Sequence, residues 1–369
     1  MGKRLLLTGV TGLVGSSVVV ALVRDRREYE FACLVRGGGG MSACERAAAA
    51  LREECAFEGC PELTDEVQSR ISVVECDISA MDPASLAADS ALMGVDEVFH
   101  CAADVNLGKD PSGRVVRANY VGTEKMIALA KALGARAFHY VSTAYVAGKT
   151  KGVAAETAPS GAAGFNNPYE ESKFRSEGLV RASGIPFTIY RPAIIVGRAA
   201  DGAIRKPLAF YRVLELLLKM KRRKALADGV DPSGRVSLRM RVASATSARV
   251  YFVPIDFVQE AIVALIGKPA VGETYHLTGD SPVSVAQIGE AVREVMGIDG
   301  IAAGPGAADE TAEGRMFSRF IGDLFPYFSC EVEFAQERIR RDWPVCVDRT
   351  YGTEELKRMI AAYQRKALA

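Results

Sequence analysis

Three glycines spaced three residues apart, Gly9, Gly12 and Gly15, lie between an apolar stretch at 5–7 and an apolar-periodic segment at 13–24. A turn of this kind, joining a strand to a helix, leaves the start of the chain few ways to fold. The first glycine permits a tight turn, the second lets backbone approach a pyrophosphate, and the third lets helix and strand pack closely. The helix start offers free N–H groups and a positive dipole end to phosphates. Thr8, Gly9, Thr11, Gly12, Leu13, Val14 and Gly15 are therefore candidate dinucleotide-binding residues.

The same stretch invites a second reading. Lys3 and Arg4 precede a run from Leu5 to Val23 without charge. A basic start before an apolar run is also the pattern of a signal peptide or a short membrane span. The regular glycines and the lack of a small-x-small cleavage site favour a buried strand and helix. No other stretch is apolar enough to span a bilayer.

Further units follow in the same alternation. The pattern predicts strands at 31–35, 71–75, 97–101, 137–142 and 187–191, and helices at 43–56, 114–133 and 169–182. Strands alternating with helices imply an α/β fold with a doubly wound parallel sheet. After Gly197 the character changes, and helices are expected at 256–266, 284–296 and 353–367. The glycine-rich stretch 302–314 reads as a loop. The expectation is a dinucleotide-binding domain over 1–200, with strands returning from about 250–280. A smaller, discontinuous substrate lobe is expected over 201–369.

Composition removes several function classes. A chain of 369 residues that is 49% hydrophobic with net charge +1 is globular, and is not generally a nucleic-acid binder. Its eight cysteines include no CxxC pair, and it has three histidines. Cys55 and Cys60 come nearest to metal-ligand spacing, so no metal site is expected. Scattered cysteines fit reduced thiols in the cytoplasm.

Arg36 ends the second strand, where an acidic residue would bind the ribose 2′-hydroxyl of NAD. An arginine there suits a 2′-phosphate, which favours NADPH. Arg24 is a second candidate contact. Further along, Tyr169 and Lys173 stand four residues apart, on one face of a helix. A nearby ammonium is expected to lower the tyrosine pKa and make proton transfer practical. Ser142 and Thr143 end the fifth strand, at the sheet edge where ligands bind. From the residues alone, either hydroxyl can serve a substrate carbonyl.

Taken in order, several segments resemble the extended short-chain dehydrogenase/reductase superfamily. They are the glycine turn, Asp77, His100-Cys101-Ala102-Ala103, Asn119, Ser142-Thr143, Tyr169/Lys173 and Tyr190-Arg191-Pro192. The resemblance runs from about 4 to 280. Within the superfamily the chain is most similar to thioester reductase domains and fatty acyl-CoA reductases, with their male-sterility-type NAD(P)-binding domain. The segments that carry this are Cys33–Arg36 (CLVR), Val141–Val146 (VSTAYV), Asn167–Glu177 (NPYEESKFRSE) and Tyr190–Gly197 (YRPAIIVG).

That resemblance implies a catalytic set of Thr143, Tyr169 and Lys173, with Thr143 rather than Ser142 in the active site. It places Asp77 and Ile78 near the adenine. Ala102, Ala103, Pro192 and Ile195 line the cofactor channel, and Asn119 holds the backbone that supports Lys173. The implied reaction is NADPH-dependent reduction of an acyl thioester to an aldehyde, and onward to an alcohol if a second hydride follows. With no adenylation or carrier segment in the chain, acyl-CoA or acyl carrier protein would be the donor. Alternatives are a nucleotide-sugar epimerase or dehydratase, a ketone or aldehyde reductase, and a non-catalytic nucleotide-binding regulator. The intact Thr143, Tyr169 and Lys173 set argues against the regulator.

Residues 201–250 hold twelve basic side chains against four acidic ones. An amphipathic helix near 207–224 with a basic end would suit an acidic carrier protein, CoA phosphates or a peripheral membrane contact. A solvated helix end explains the same charges. The aromatic run 317–328 suits a pocket, an interface or plain core.

Overall fold

A computed structural model of the chain describes residues 2–245, 247–279, 281–304, 311–348 and 351–368. Seven strands form one parallel sheet: β1 (Lys3–Thr8), β2 (Tyr29–Val35), β3 (Ile71–Glu75), β4 (Glu97–His100), β5 (Ala137–Val141), β6 (Phe187–Pro192) and β7 (Glu273–Leu277). Their spatial order is β7-β6-β5-β4-β1-β2-β3. β1 pairs with β2 on one side (Leu5 against Phe31) and with β4 on the other (Leu7 against Phe99). The chain therefore reverses its direction of winding between β1 and β4. A crevice opens there beyond the strands' carboxyl ends.

The two-residue period of the strands separates two cores. Leu5 and Leu7 join one with Phe31, Cys33 and Phe99, whereas Leu6 joins the other with Ala32, Val98 and Phe138. The uncharged N-terminal run resolves into β1 and helix α1 (Leu13–Asp25), whose residues 13–23 are all buried. Its lack of charge reflects a helix enclosed on every side. Among the described residues no helix is long and apolar enough to cross a membrane.

The six expected strands are present, and β7 is a strand that returns to the sheet from within 250–280, as expected. The expected helix 114–133 is interrupted: Arg117–Val121 forms a wider π-type turn between the short helix Arg114–Val116 and Gly122–Ala132. Such turns break the regular ladder and often serve functional sites. This one contains Asn119.

After β6 the helix α3 (Tyr211–Asp228, with α2 being Pro168–Ala182) packs on a parallel pair, Val236–Ala243 and Ile298–Gly304. The helix expected from 207 begins only at Tyr211. Ala209 just before it has φ 45°, a left-handed value that breaks helical continuity. The expected loop at 302–314 is partly regular. Ile298–Gly304 is a strand held by the 236–243 ladder, and Ala312–Ile321 is a helix capped by Thr311, with 305–310 outside the described residues. The helices Ile255–Ile266, Val285–Met296 and Thr353–Leu368 stand where periodicity puts them.

Candidate active site

The crevice beyond β1 and β4 is a cleft of about 910 Å³. Its floor is the glycine turn. Gly9 adopts φ +85°, and a Cβ there would stand 2.8 Å from the Ala102 nitrogen. A Cβ at Gly15 would stand 2.2 Å from the Gly9 oxygen. Only glycine fits at either place. Gly12 caps α1 with no side chain bonded to the first N–H groups, which leaves them for a ligand. Backbone approach, bare N–H groups and the helix dipole together fit the pyrophosphate of a dinucleotide.

Thr11, Leu13, Val14, Asp77, Ile78, Ala102, Ala103, Pro192 and Ile195 line the cleft with Gly9 and Gly12, as expected of cofactor contacts. Three predicted contacts serve from behind instead. Gly15 packs α1 against the turn. Thr8 is buried; its hydroxyl accepts from Ala102 N at 3.2 Å and pairs with His100 Nδ1 at 2.7 Å. Burial drives the His100 pKa down to about 3, so the ring is neutral here.

Asn119 is the third. Its side chain accepts from Asp104 N (2.7 Å) and donates to Asp104 O (3.0 Å) and Ser172 Oγ (3.0 Å). It ties the loop after β4 to the residue beside Lys173. The Lys173 ammonium itself donates to Val141 O at 2.6 Å.

Arg36 lines the far end of the cleft. Arg24 does not reach it. It sits on the last turn of α1 and pairs with Asp25 (2.9 Å) and Glu58 (3.5 Å). The second cation is Arg46, which also lines the cleft and donates to the carbonyls of Arg36 and Gly37. Sequence reading passed over it because Arg46 lies ten residues on, across the glycine run 37–40. The capping box of Ser42 and Glu45 marks the start of the helix that carries it.

Thr143, Tyr169 and Lys173 meet at the other end. Asn167 caps α2 by accepting from Glu170 N at 3.0 Å, which sets Tyr169 in the first turn and Lys173 one turn on. The Thr143 hydroxyl donates to Pro192 O at 3.5 Å and accepts from Tyr145 N at 3.3 Å, whereas Ser142, which also lines the cleft, has a buried Oγ with no hydrogen-bond partner among the described residues. Lys173 is buried 4.2 Å from the centre of the Tyr140 ring.

The expected lowering of the Tyr169 pKa is not the net result. Burial pushes it above its ordinary 10.0, outweighing Lys173 and Thr143. Burial likewise pushes Lys173 below 10.5, with Tyr169 opposing. The phenol is thus protonated at neutral pH.

The C-terminal part closes one wall. Tyr327 lines the cleft, accepts from Asn167 Nδ2 at 2.9 Å and packs edge-on against Tyr145 at 4.6 Å. From the aromatic run, Phe317 and Phe328 are buried in the core and Phe320 is exposed. The basic segment is largely paired: Arg212 with Asp323, Lys224 with Asp228, Arg235 with Asp299 and Arg249 with Glu333. The apolar side of α3, including Leu214, Leu217 and Leu218, is spent on the protein's own core and is not presented to a bilayer. Among the described residues no cluster of His, Cys, Asp or Glu is placed to hold a metal, and no disulfide is formed.

Residues 7–262 match the family described as Male sterility protein. The chain is 30% identical over 285 residues to a component of linear gramicidin synthase from Brevibacillus parabrevis, covering 74% of this chain and 5% of that one. It spans about a quarter or less of the curated relatives first matched. Two solved structures share the fold. One is the terminal R domain from the myxalamid PKS-NRPS biosynthetic pathway (21% identical, 99% of this chain and 91% of that one, TM-score 0.75). The other is a thiolation-reductase di-domain from an archaeal non-ribosomal peptide synthetase (21%, 100% and 91%, TM-score 0.70). The chain belongs to the Male sterility protein family, and the matched residues form an NAD(P)-binding domain.

Proposed function

We propose that this chain reduces an acyl thioester to an aldehyde, with NADPH as reductant and a carrier-protein-bound acyl group as the first substrate to consider. The observation that carries the reading is the placing of Thr143, Tyr169 and Lys173 at one end of a dinucleotide cleft whose other end holds Arg36 and Arg46. The thiolation–reductase pairing in a structural relative supports a carrier-bound substrate over free acyl-CoA.

Bound NADPH supplies a hydride to the carbonyl carbon. Thr143 and Tyr169 donate hydrogen bonds to the carbonyl oxygen as it gains negative charge, and Tyr169 gives up its proton to it. Lys173, anchored on Val141 O, holds positive charge beside Tyr169 and stabilises the phenolate left behind. The C–S bond then breaks, the hydroxyl proton passes to sulfur, and aldehyde and thiol leave. Residues 1–200 with β7 and the helix Ile255–Ile266 form the cofactor domain in this reading. The remainder forms the substrate lobe, and the cytoplasm, which keeps the thiols reduced, is the compartment.

The test is NADPH consumption with acyl carrier protein thioesters, acyl-CoAs and free aldehydes, with released thiol measured in parallel. One thiol released per NADPH oxidised in the first step supports the reading. Turnover of aldehydes alone replaces it with a carbonyl reductase. For the cofactor, Arg36→Ala/Arg46→Ala is expected to weaken NADPH by about 30-fold or more while NADH changes under about threefold, since each charged bond to a 2′-phosphate contributes roughly 1.5–3 kcal/mol. Equal losses for both cofactors would remove the 2′-phosphate assignment.

A further inference from the structure

The strap between β6 and α3 bonds the glycine turn through Arg205 and Lys206, neither of which lines the cleft. Arg205, its side chain 6% exposed, donates from Nη2 to Gly12 O (3.1 Å) and Ser16 Oγ (2.6 Å), and from Nε to Glu54 Oε2 (2.6 Å). Ser16 Oγ bonds to both Gly12 O (2.7 Å) and Glu54 Oε2 (2.7 Å), which closes the network. Glu54 is fully buried on the helix Ala43–Phe57. The next strap residue, Lys206, donates to Thr11 O at 2.6 Å. Two adjacent side chains from a segment about 190 residues away therefore hold the two carbonyls at the centre of the turn.

The direction of those carbonyls matters. In a trans peptide the C=O and the following N–H point to opposite sides of the chain. The described residues contain no cis peptide. Drawing Gly12 O back onto Arg205 aims the Leu13 N–H forward, and Leu13 lines the cleft. The same strap continues into the cleft wall: Leu208, Ala209 and Arg212 line it. Ala209 is the one non-glycine residue with positive φ among those described. Backbone held in that region is strained and persists where its surroundings over-determine it.

We propose that Arg205 and Lys206 are positioning residues for the dinucleotide: Arg205 fixes the Gly12 carbonyl so that the Leu13 N–H faces the pyrophosphate, and Lys206 fixes the Thr11 carbonyl, whose peptide N–H at Gly12 closes the turn on Gly9 O at 2.8 Å. Because the strap also forms part of the cleft wall, seating the cofactor and shaping the substrate side are one structural event. The inference rests on the cofactor reading above.

The experiment measures NADPH affinity, by the change in its fluorescence on binding, and steady-state kinetics for wild type, Arg205→Met/Glu54→Gln and Lys206→Met. The double variant is used because Arg205→Met alone strands a buried carboxylate and threatens folding. Expected is a rise of about tenfold in NADPH Kd and KM for the double variant and about threefold for Lys206→Met, as hydrogen bonds that order the turn are lost. At saturating NADPH, kcat is expected to stay within about threefold, and Arg205→Lys, which keeps the charge for Glu54, to recover part of the affinity. A purely structural role would lower the folded fraction, and kcat with it, and leave KM alone. A folded double variant with NADPH affinity within about twofold of wild type overturns the proposal. Wild-type protein that binds no dinucleotide overturns the cofactor reading and this inference together.

Discussion

Tyr169→Phe is expected to lower kcat by about 10²–10⁴-fold, the usual contribution of a positioned proton donor. The substitution removes one hydroxyl and keeps the ring at the start of α2, so NADPH affinity should stay within about twofold. Thr143 still offers one hydrogen bond to the carbonyl oxygen, but no group remains to deliver the proton. The pH profile separates this from a packing effect. Reduction needs Tyr169 protonated, and burial holds its pKa above the ordinary 10.0. Wild-type kcat should therefore be level through neutral pH and fall only on the alkaline side, as Tyr169 loses its proton. Lys173, pushed below 10.5, loses its charge in the same direction. The variant should lose the part of that fall owed to Tyr169. A Tyr169→Phe enzyme within about threefold of wild type, with the alkaline limb intact, would remove the tyrosine from the chemistry.

Periodicity and the glycine turn carried most of the sheet into view, because β1 to β6 are short apolar runs each followed by a helix. β7 falls within 250–280, where strands were expected to return to the sheet, but its bounds were not legible. Glu273–Leu277 (ETYHL) has no apolar run to mark its ends, and its pairing with β6 defines it. At the site, Thr143, Tyr169 and Lys173 were legible because strand-end and helix-face rules place them. Arg46 was not, and the aromatic run 317–328 offered a pocket among three readings without singling out Tyr327, because both roles depend on contacts that spacing does not encode. Arg46 arrives by a helix packed beside β2, and Tyr327 by a C-terminal segment bonded to Asn167 across 160 residues of sequence. The basic count at 201–250 suggested an outward surface. Arg205 and Lys206 instead point inward to the turn, which a charge tally cannot reveal.

The second large effect is expected on stability. Arg191→Met should cost about 3–5 kcal/mol, the loss typical of removing one partner from a buried ion pair. Arg191 and Glu177 are each 1% exposed. They are joined by two bonds, Nε to Oε1 at 2.9 Å and Nη2 to Oε2 at 2.6 Å. Arg191 also donates to Ala155 O (3.3 Å) and Thr157 O (2.8 Å), so three chain segments meet on it. In the variant the Glu177 carboxylate keeps Arg181 at 3.3 Å as its remaining ion-pair partner. Urea unfolding should show the loss, and Glu177→Gln added to Arg191→Met should restore part of it by removing the stranded charge.

The pH dependence has a definite sign. Although burial opposes it, the Arg191 charge helps to hold the Glu177 pKa below its ordinary 4.5. That stabilisation is present above 4.5 and is lost as pH falls through the folded value. In Arg191→Met burial is expected to raise the Glu177 pKa instead, so acid relieves the strain by protonating it. The stability gap between wild type and variant should narrow as pH falls. A gap that is constant with pH, or a double variant no more stable than Arg191→Met, would mean that the lost backbone bonds and not the ion pair carry the effect. The pair matters to the site because Glu177 lies two turns along α2 from Tyr169, and Arg191 immediately precedes the cleft residue Pro192. One buried interaction thus ties the helix bearing Tyr169 and Lys173 to the strand that ends in the cleft.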